Sequence, residues 1–343
     1  MLRKFLILCC SVAIAMPVYT TAEAGQAKSG KTAAVAKTKV KAKAKSKSRI
    51  NRSKRASLRN SERIRSQKRY RQHLQRIAYQ QEVDSTGPLQ LASAKALIIN
   101  QQTGEVLYAK GTDQPTPIAS LTKLMTAMVV LDARQPMDEI VTITQADIDT
   151  LKGSGSRLRV GTSLTRGEMM QLALMSSENR AASALGHAYP GGYFAFVAAM
   201  NAKAGELGMT RSRFAEATGL SSDNVSTAED LAKMVKAAYQ YPEIRAVSTA
   251  TSYEVPVEGR RHPLEFRNTN ALVRNSDWQI GLSKTGYINE AGRCLVMQAQ
   301  IADQPLIIVL LDSWGKYSRI GDANRIRKWI ESSNLTAQRI SSS

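Results

Sequence analysis

The chain has 343 residues and a formal net charge of +20, which arises from 48 Lys and Arg against 28 Asp and Glu. Residues 25–84 alone carry 19 basic and 3 acidic residues, a net charge of +16 from the difference, so the charge excess belongs to one segment. The rest of the chain is nearly neutral and has room for one large domain or two small ones, which excludes a fold that is basic throughout.

The N-terminus has the pattern of a secretory signal. Arg3 and Lys4 precede an apolar run at residues 5–16, and Ala22 and Ala24 flank one residue of a small-x-small cleavage site. We predict a signal peptide over residues 1–24. A retained membrane anchor is the alternative, but the apolar run is shorter than the roughly 20 residues that a spanning helix needs. Cleavage leaves Cys294 as the single cysteine, which excludes an internal disulfide in the mature chain.

Residues 25–85 are predicted to form a basic, low-complexity and mostly disordered tail. Like charges repel along this segment, and few apolar residues are present to offset the loss of chain entropy on folding. Nucleic acid is a common partner of such tails, but behind a secretion signal it is disfavoured. We favour an anionic wall polymer or a membrane surface as the partner, with a simple solvated spacer as the alternative.

A folded domain is predicted over residues 86–335, followed by a flexible C-terminus at 336–343. Residues 96–99 and 106–108 read as a β-hairpin, and apolar residues at helical spacing predict a helix after Pro117. Thr165 and Glu168 form a capping box that opens a second helix. Further helices are predicted at 179–188, 193–207 and 227–239, the last after a capping box of Ser226 and Glu229.

The C-terminal part of the domain changes from helices to strands. Strands are predicted at 282–285, 294–300 and 306–311, and a final helix at 323–331. The apolar run that ends at residue 311 is too short to cross a membrane and is typical of a buried central strand. The sum is one α/β fold with an antiparallel sheet, helices on its faces and an inserted helical lobe.

A serine with a lysine three residues later stands at the start of the helix after Pro117. Ser120 and Lys123 lie one helical turn apart and therefore on the same face, so the lysine amine can reach the serine hydroxyl. Lys123 can accept a proton only when it is neutral, and burial together with a second cation can lower its pKa. Lys284 is the candidate for that second cation.

Two further strings complete the candidate site. Ser177 and Asn179 follow the second predicted helix, where a hydroxyl could relay a proton and an amide could hold a substrate backbone. Lys284, Thr285 and Gly286 end a predicted strand, where the lysine could bind a substrate carboxylate and the glycine lets a ligand backbone approach closely. We predict an oxyanion hole made of the backbone N–H groups of Ser120 and Tyr287.

Rival motifs occur for two of the strings. Ser313 with Lys316 also fits Ser-x-x-Lys, but it follows the last strand and lacks a helical pattern. Ser222-Asp223-Asn224 also fits Ser-x-Asn, but it lies among turn residues, which favours a structural loop. Histidines occur only at 73, 187 and 262, without metal-ligand spacing or Ser-His-Asp context, and no phosphate-binding glycine loop appears. The sequence therefore indicates no metal or cofactor.

The three strings and their surroundings resemble the low-molecular-mass penicillin-binding proteins, serine DD-peptidases of family S11. The stretch around Ser177-Glu178-Asn179 is most similar to the D-alanyl-D-alanine endopeptidase branch, the penicillin-binding protein 7 type, over about residues 90–335. The resemblance implies the serine β-lactamase/DD-peptidase fold and a periplasmic enzyme that cuts D-alanyl cross-links between the stem peptides of peptidoglycan. It also implies that β-lactams are covalent inhibitors.

Residue roles also follow from this resemblance. It implies Ser120 as the acyl-enzyme nucleophile, Lys123 as the proton acceptor and Ser177 as the proton relay. It implies that Asn179 and Thr285 contact substrate and that Lys284 binds its carboxylate.

Three other functions stay open on the sequence. They are a D-alanyl-D-alanine carboxypeptidase, a serine β-lactamase, and a non-catalytic wall-binding protein that acts through its basic tail. The lactamase would need a further base for deacylation, and Glu216 has Leu220, not asparagine, four residues on. The complete set of catalytic residue types argues against an inert fold.

Overall fold

The computed structural model describes residues 89–256 and 261–341, with side chains to residue 333. The predicted signal peptide (1–24) and basic tail (25–85) lie outside the described residues. Eleven strands occur in the described part of the chain: β1 (Ser93–Asn100), β2 (Val106–Lys110), β3 (Thr116–Pro117), β4 (Ile140–Thr142), β5 (Ser163–Thr165), β6 (Val225–Ser226), β7 (Ser252–Val255), β8 (Leu264–Arg267), β9 (Gln279–Ile288), β10 (Gly292–Ile301) and β11 (Gln304–Ser313).

Five of these strands form the main antiparallel sheet, in the order β2-β1-β11-β10-β9. The remaining strands pair as β3 with β6, β4 with β5, and β7 with β8. The apolar strand β11 is central, as predicted. Val309 and Ile308, next to each other on it, are fully buried on opposite faces, because helices cover the sheet on both sides.

Seven helices are described. They are α1 (Thr122–Asp132), α2 (Arg166–Met175), α3 (Asn179–His187), α4 (Gly192–Glu206), α5 (Ala228–Ala238), α6 (Pro242–Thr249) and α7 (Ser318–Ser341). The first six follow one another between β2 and β9, and α1 is buried along nearly its whole length. The predicted α/β fold with an inserted helical lobe is confirmed.

One capping prediction is confirmed and one is wrong. Thr165 and Glu168 form the expected capping box at the start of α2. At α5 the cap is Thr227, whose hydroxyl accepts a hydrogen bond from the Asp230 amide, and not Ser226. Ser226 cannot take this position because it belongs to β6, where it pairs with Thr116.

The last helix is longer than the sequence predicts. Helix α7 spans Ser318–Ser341 instead of 323–331, and so includes residues 336–341, which we assigned to a flexible C-terminus. It packs on the face of the sheet opposite α1, where Ile326 and Ile330 are buried. Of the helices described, none combines the length and the apolar character that a bilayer crossing requires.

Candidate active site

Ser120 lies in a tight turn that connects β3 to α1. Residues Ala119–Leu121 form a 3₁₀ turn, and Ala119 adopts a left-handed backbone with φ of 49°. Lys123 lies in the first turn of α1, with its Nζ 2.9 Å from Ser120 Oγ, as the spacing predicts. Ser120 is half-buried, whereas Lys123 is fully buried, so a substrate can reach the hydroxyl but not surround the amine.

The Lys123 amine has two further partners from distant parts of the chain. Its Nζ donates to Asn179 Oδ1 at 2.7 Å and to the Thr218 carbonyl at 2.6 Å. Burial lowers the pKa of Lys123 to about 8, although the negative charges of Glu216 and Glu178 act to raise it. Roughly a tenth of the Lys123 amines are therefore neutral at pH 7, and a general base at this position requires that neutral form.

Ser177 occupies a strained position directly after α2. It has φ of 62°, a left-handed conformation that helix ends usually give to glycine. This turn aims its hydroxyl at β9, where Lys284 Nζ donates to Ser177 Oγ at 2.8 Å. Asn179 begins α3 on the other side of the turn and faces Lys123. The turn between α2 and α3 thus connects to both lysines.

The electrostatic coupling between the two lysines lowers the pKa of Lys284. We expected burial and Lys284 together to lower the pKa of Lys123, and there burial is the cause. Burial first, and then the positive charges of Lys123 and Arg319, hold the pKa of Lys284 well below its ordinary value. Both lysines are buried close to each other, so burial and the neighbouring charge both act against the protonated form of Lys284.

Gly286 makes room for the turn that carries Ser120. A Cβ there would lie 3.0 Å from both the Ser120 backbone nitrogen and Ala119 Cβ, so the glycine admits the chain's own turn, and its predicted contact with a ligand backbone stays a prediction. This contact places the Ser120 N–H beside β9, just before Tyr287. Their pairing as an oxyanion hole stays a prediction. Thr285 is buried and donates to the Thr269 hydroxyl at 2.7 Å.

The rival motifs have structural roles. Ser313 Oγ lies 2.6 Å from Ser93 Oγ in a buried network with Asp322, on the α7 side of the sheet. Asn224 is fully buried, and its side chain joins Thr122 at the start of α1 to the backbone of Ala215. The side chains of Ser313 and Asn224 therefore hydrogen-bond within the fold and have a structural role.

Glu216 does not have the surroundings of a deacylation base. Its carboxylate accepts hydrogen bonds from the backbone amides of Thr218 and Gly219, both at 2.6 Å, and from Asn224 Nδ2 at 2.9 Å. These bonds hold the loop whose Thr218 carbonyl binds Lys123. A carboxylate used in this way supports the loop and has little capacity to activate water.

One prediction about histidine is incomplete. His187 does have serine and aspartate neighbours: its Nδ1 lies 2.9 Å from Asp147 Oδ1, and Ser183 donates to the same oxygen at 2.8 Å. Because both groups bond one carboxylate oxygen, the serine hydroxyl is not activated by the histidine, as a catalytic triad requires. Within the described ranges, no group of three His, Cys, Asp or Glu side chains could hold a metal ion.

Several residues of the site were missed from the sequence. They contribute through the backbone or through long-range contacts: Thr218, Gly219, Thr269, Ser154 and Arg319, which donates to the Gly286 carbonyl at 3.0 Å. Only the Thr218-Gly219 pair left a signal, as a turn sequence after Glu216. The other three, Thr269, Ser154 and Arg319, could not be identified from helical or strand periodicity.

The chain is similar to known proteins over most of its described length. Residues 80–315 match the family model described as peptidase S11, D-alanyl-D-alanine carboxypeptidase. The chain is 51% identical over 252 residues to a D-alanyl-D-alanine endopeptidase of Pseudomonas aeruginosa, covering 73% of this chain and 81% of the relative. It is 49% identical over 246 residues to the D-alanyl-D-alanine endopeptidase of Escherichia coli, covering 72% and 79%.

The fold has close solved relatives as well. The crystal structure of the Streptomyces K15 DD-transpeptidase superposes with a TM-score of 0.65 at 30% identity, covering 70% of this chain and 97% of that one. A D-alanyl-D-alanine carboxypeptidase from Mycobacterium tuberculosis superposes with a TM-score of 0.64 at 25% identity, covering 72% and 94%.

Proposed function

We propose, from the premise that this chain belongs to the peptidase S11 family, that it is a serine DD-peptidase that cleaves D-alanyl cross-links in peptidoglycan. The single observation that carries the assignment of residues is the 2.9 Å contact between Ser120 Oγ and a buried amine whose pKa is lowered to about 8. Endopeptidase activity is favoured over carboxypeptidase activity by the two relatives of about 50% identity.

Acylation begins with proton transfer within the Ser120–Lys123 pair. A neutral Lys123 accepts the Ser120 proton as the hydroxyl oxygen attacks the D-alanyl carbonyl carbon. Negative charge then develops on the carbonyl oxygen, where the backbone N–H groups of Ser120 and Tyr287 would stabilise it. The C–N bond breaks, and the proton that Lys123 took from Ser120 passes through the Ser177 hydroxyl to the leaving nitrogen, which returns Lys123 to its neutral form. Water hydrolyses the resulting ester, with Lys123 again as the base.

The substrate lies along the free edge of β9 in this proposal. Among the described strands, β9 pairs only with β10, so an extended peptide can align with its other edge. Lys284 then meets an anionic group of the peptide, which would raise the lowered pKa of that lysine and stabilise its charged form. Asn179 and Thr285 complete the contacts. A β-lactam would acylate Ser120 by the same steps.

Localisation and the tail are part of the proposal. We infer export to the periplasm, directed by residues 1–24 and followed by cleavage after Ala24. Residues 25–84 carry the net charge of +16, which supports loose association with an anionic wall polymer or membrane surface.

Two assays test the proposed function. Fluorescent penicillin should label the wild-type protein and not the Ser120→Ala variant, and equal labelling of both would refute Ser120 as the nucleophile. Mass spectrometry of purified cross-linked muropeptides after digestion should reveal monomers that retain their terminal alanines. Loss of terminal alanine without any monomer formation would instead indicate a carboxypeptidase.

A further inference from the structure

Lys123 can act on Ser120 only if its lone pair points to the right neighbour. A neutral amine has two N–H groups and one lone pair, and three partners surround Lys123 Nζ. If Asn179 Oδ1 and the Thr218 carbonyl each accept one N–H, the lone pair is left for the Ser120 hydroxyl. This assignment requires the Asn179 side-chain amide to present its oxygen, and not its nitrogen, to the lysine.

The orientation of the Asn179 amide is set by a loop outside the three motifs. Asn179 Nδ2 donates to Ser154 Oγ at 3.1 Å, on the side away from Lys123. A flipped amide would direct Oδ1 at Ser154 and offer an N–H to Lys123, where it would attract the lone pair that Ser120 needs. Ser154 must therefore be an acceptor toward Asn179.

Asp149 makes Ser154 an acceptor. The Asp149 carboxylate accepts the Ser154 backbone N–H at 2.7 Å, and the Ser154 side chain lies near enough to this carboxylate to lower its pKa. Once the hydroxyl hydrogen is directed to Asp149, the oxygen lone pairs of Ser154 are free for Asn179. Partial burial acts to raise the pKa of Asp149, but these bonds and those from the Lys152 and Leu151 amides hold it below its ordinary value. Asp149 is therefore ionised at neutral pH and accepts hydrogen bonds without donating one.

The loop that carries both residues is held at several points. Lys152 pairs with Glu290 in the turn between β9 and β10 at 2.6 Å, and Ser156 donates to Glu178 Oε2 at 2.7 Å. The carbonyl of Leu158 accepts from Arg180 at 2.7 Å. These contacts connect the loop to both sides of the site, so its position is defined relative to Asn179.

We infer that Asp149 and Ser154 are positioning residues, which orient the Asn179 amide and through it the lone pair of Lys123 toward Ser120. The path is Asp149 carboxylate, Ser154 hydroxyl, Asn179 amide and Lys123 amine, joined by successive hydrogen bonds. This inference rests on the proposed function. Neither residue lies in one of the three motifs.

The test measures the second-order rate constant of acylation by fluorescent penicillin in the full-length protein. Ser154→Ala should lower it roughly five-fold, the effect of one hydrogen bond, while Ser154→Thr, which keeps the hydroxyl, should restore most of the rate. Leu151→Ala is the matched control, because this exposed side chain belongs to the same loop and the path uses only its backbone N–H. It should acylate like the wild type.

A double-mutant cycle separates positioning from general loop damage. Ser154→Ala should have no further effect in an Asn179→Ala background, and Asp149→Asn should have a smaller effect in a Ser154→Ala background than in the wild type, because Asp149 also accepts from three backbone amides of the loop. Equal losses in both backgrounds, a wild-type rate for Ser154→Ala, or an equal loss in Leu151→Ala would overturn the inference. If the wild type is labelled at Ser120 but Ser154→Ala is unaffected, only this inference fails, and the proposed function stands.

Discussion

Gly219 contacts the carbonyl of Ala119 so closely that a Cβ on the glycine would lie 1.9 Å from that oxygen and 2.7 Å from the Ser120 nitrogen. On its other side, the same turn meets Gly286. The nucleophile is therefore fixed by two glycines that lie 99 and 166 residues after Ser120 along the chain, and not by its own helix alone. The left-handed φ of 49° at Ala119 persists because both neighbours are this close.

Gly219→Ala should disable the enzyme without touching a catalytic side chain. The added methyl group must displace the Ala119–Ser120 backbone, and φ of 82° at residue 219 is itself unfavourable for alanine. We expect roughly a 100-fold loss in the acylation rate constant, as for a displacement of about 1 Å in an active site. Gly205→Ala is the control. It has open space around it in α4 and should leave acylation unchanged, so an active Gly219→Ala variant would contradict this packing.

Acylation should depend on pH through Lys123. Because burial lowers the pKa of this lysine to about 8, the rate constant should rise with pH and reach half of its limit near pH 8. Lys123→Arg keeps a cation and cannot supply a base, so it should stay inactive at every pH tested. A wild-type profile that is flat between pH 6 and about 9 would exclude Lys123 as the titrating base.

The same shift predicts a change in stability. The unfolded chain, with an ordinary lysine pKa of 10.5, binds one more proton than the folded chain between pH 8 and 10.5. The contribution of Lys123 to the free energy of unfolding should therefore rise as pH rises through this window. The destabilisation caused by burying the charged amine should be largest below about pH 8. Urea denaturation of the wild type and Lys123→Met at several pH values isolates this contribution as their difference. A difference that is constant with pH would contradict it.

Substitutions of Ser177 should change stability and catalysis independently of each other. The left-handed conformation at φ of 62° favours glycine, so Ser177→Gly should be more stable than Ser177→Ala by about 1 kcal/mol in urea denaturation. Both variants lack the hydroxyl and should acylate roughly 100-fold more slowly or worse. Ser176→Ala, one residue earlier, should retain the wild-type rate. Equal stability of the Gly and Ala variants would show that the backbone at this position relaxes.

Asp322 should support the fold and not the active site. Its fully buried carboxylate accepts from the backbone N–H groups of Ala92 and Ser93 and from the Ser93 hydroxyl, and it pairs with Arg325. Asp322→Ala should lower the free energy of unfolding by about 3–5 kcal/mol, because the partners stay buried and unpaired. Asp223→Ala removes an exposed pair and should cost less than about 1 kcal/mol. Similar losses in the two variants would contradict this network.

Local sequence pattern was enough for much of the fold and for the central motifs. Sequence pattern located the hairpin, the central strand β11 and every described α-helix except α6, and the Thr165–Glu168 box marked the start of α2 correctly. The i, i+3 spacing of Ser120 and Lys123 fixed their contact, since one helical turn brings such residues together regardless of the rest of the fold. The errors came where a neighbouring strand competed, as at Ser226, or where helix α7 continued beyond its apolar pattern.

The sequence by itself determined which functional groups are present and which of them lie within one turn of each other. Only the tertiary structure decided how those groups are tuned: which acceptors surround Lys123, how the Asn179 amide is oriented, and which glycines fix the turn at Ala119. Thr218 is 95 residues from Lys123, and no local pattern encodes such a contact. Burial likewise depends on the whole packed fold. Burial lowers the pKa of Lys123 and of Lys284, because elements from all parts of the chain remove water from around each amine.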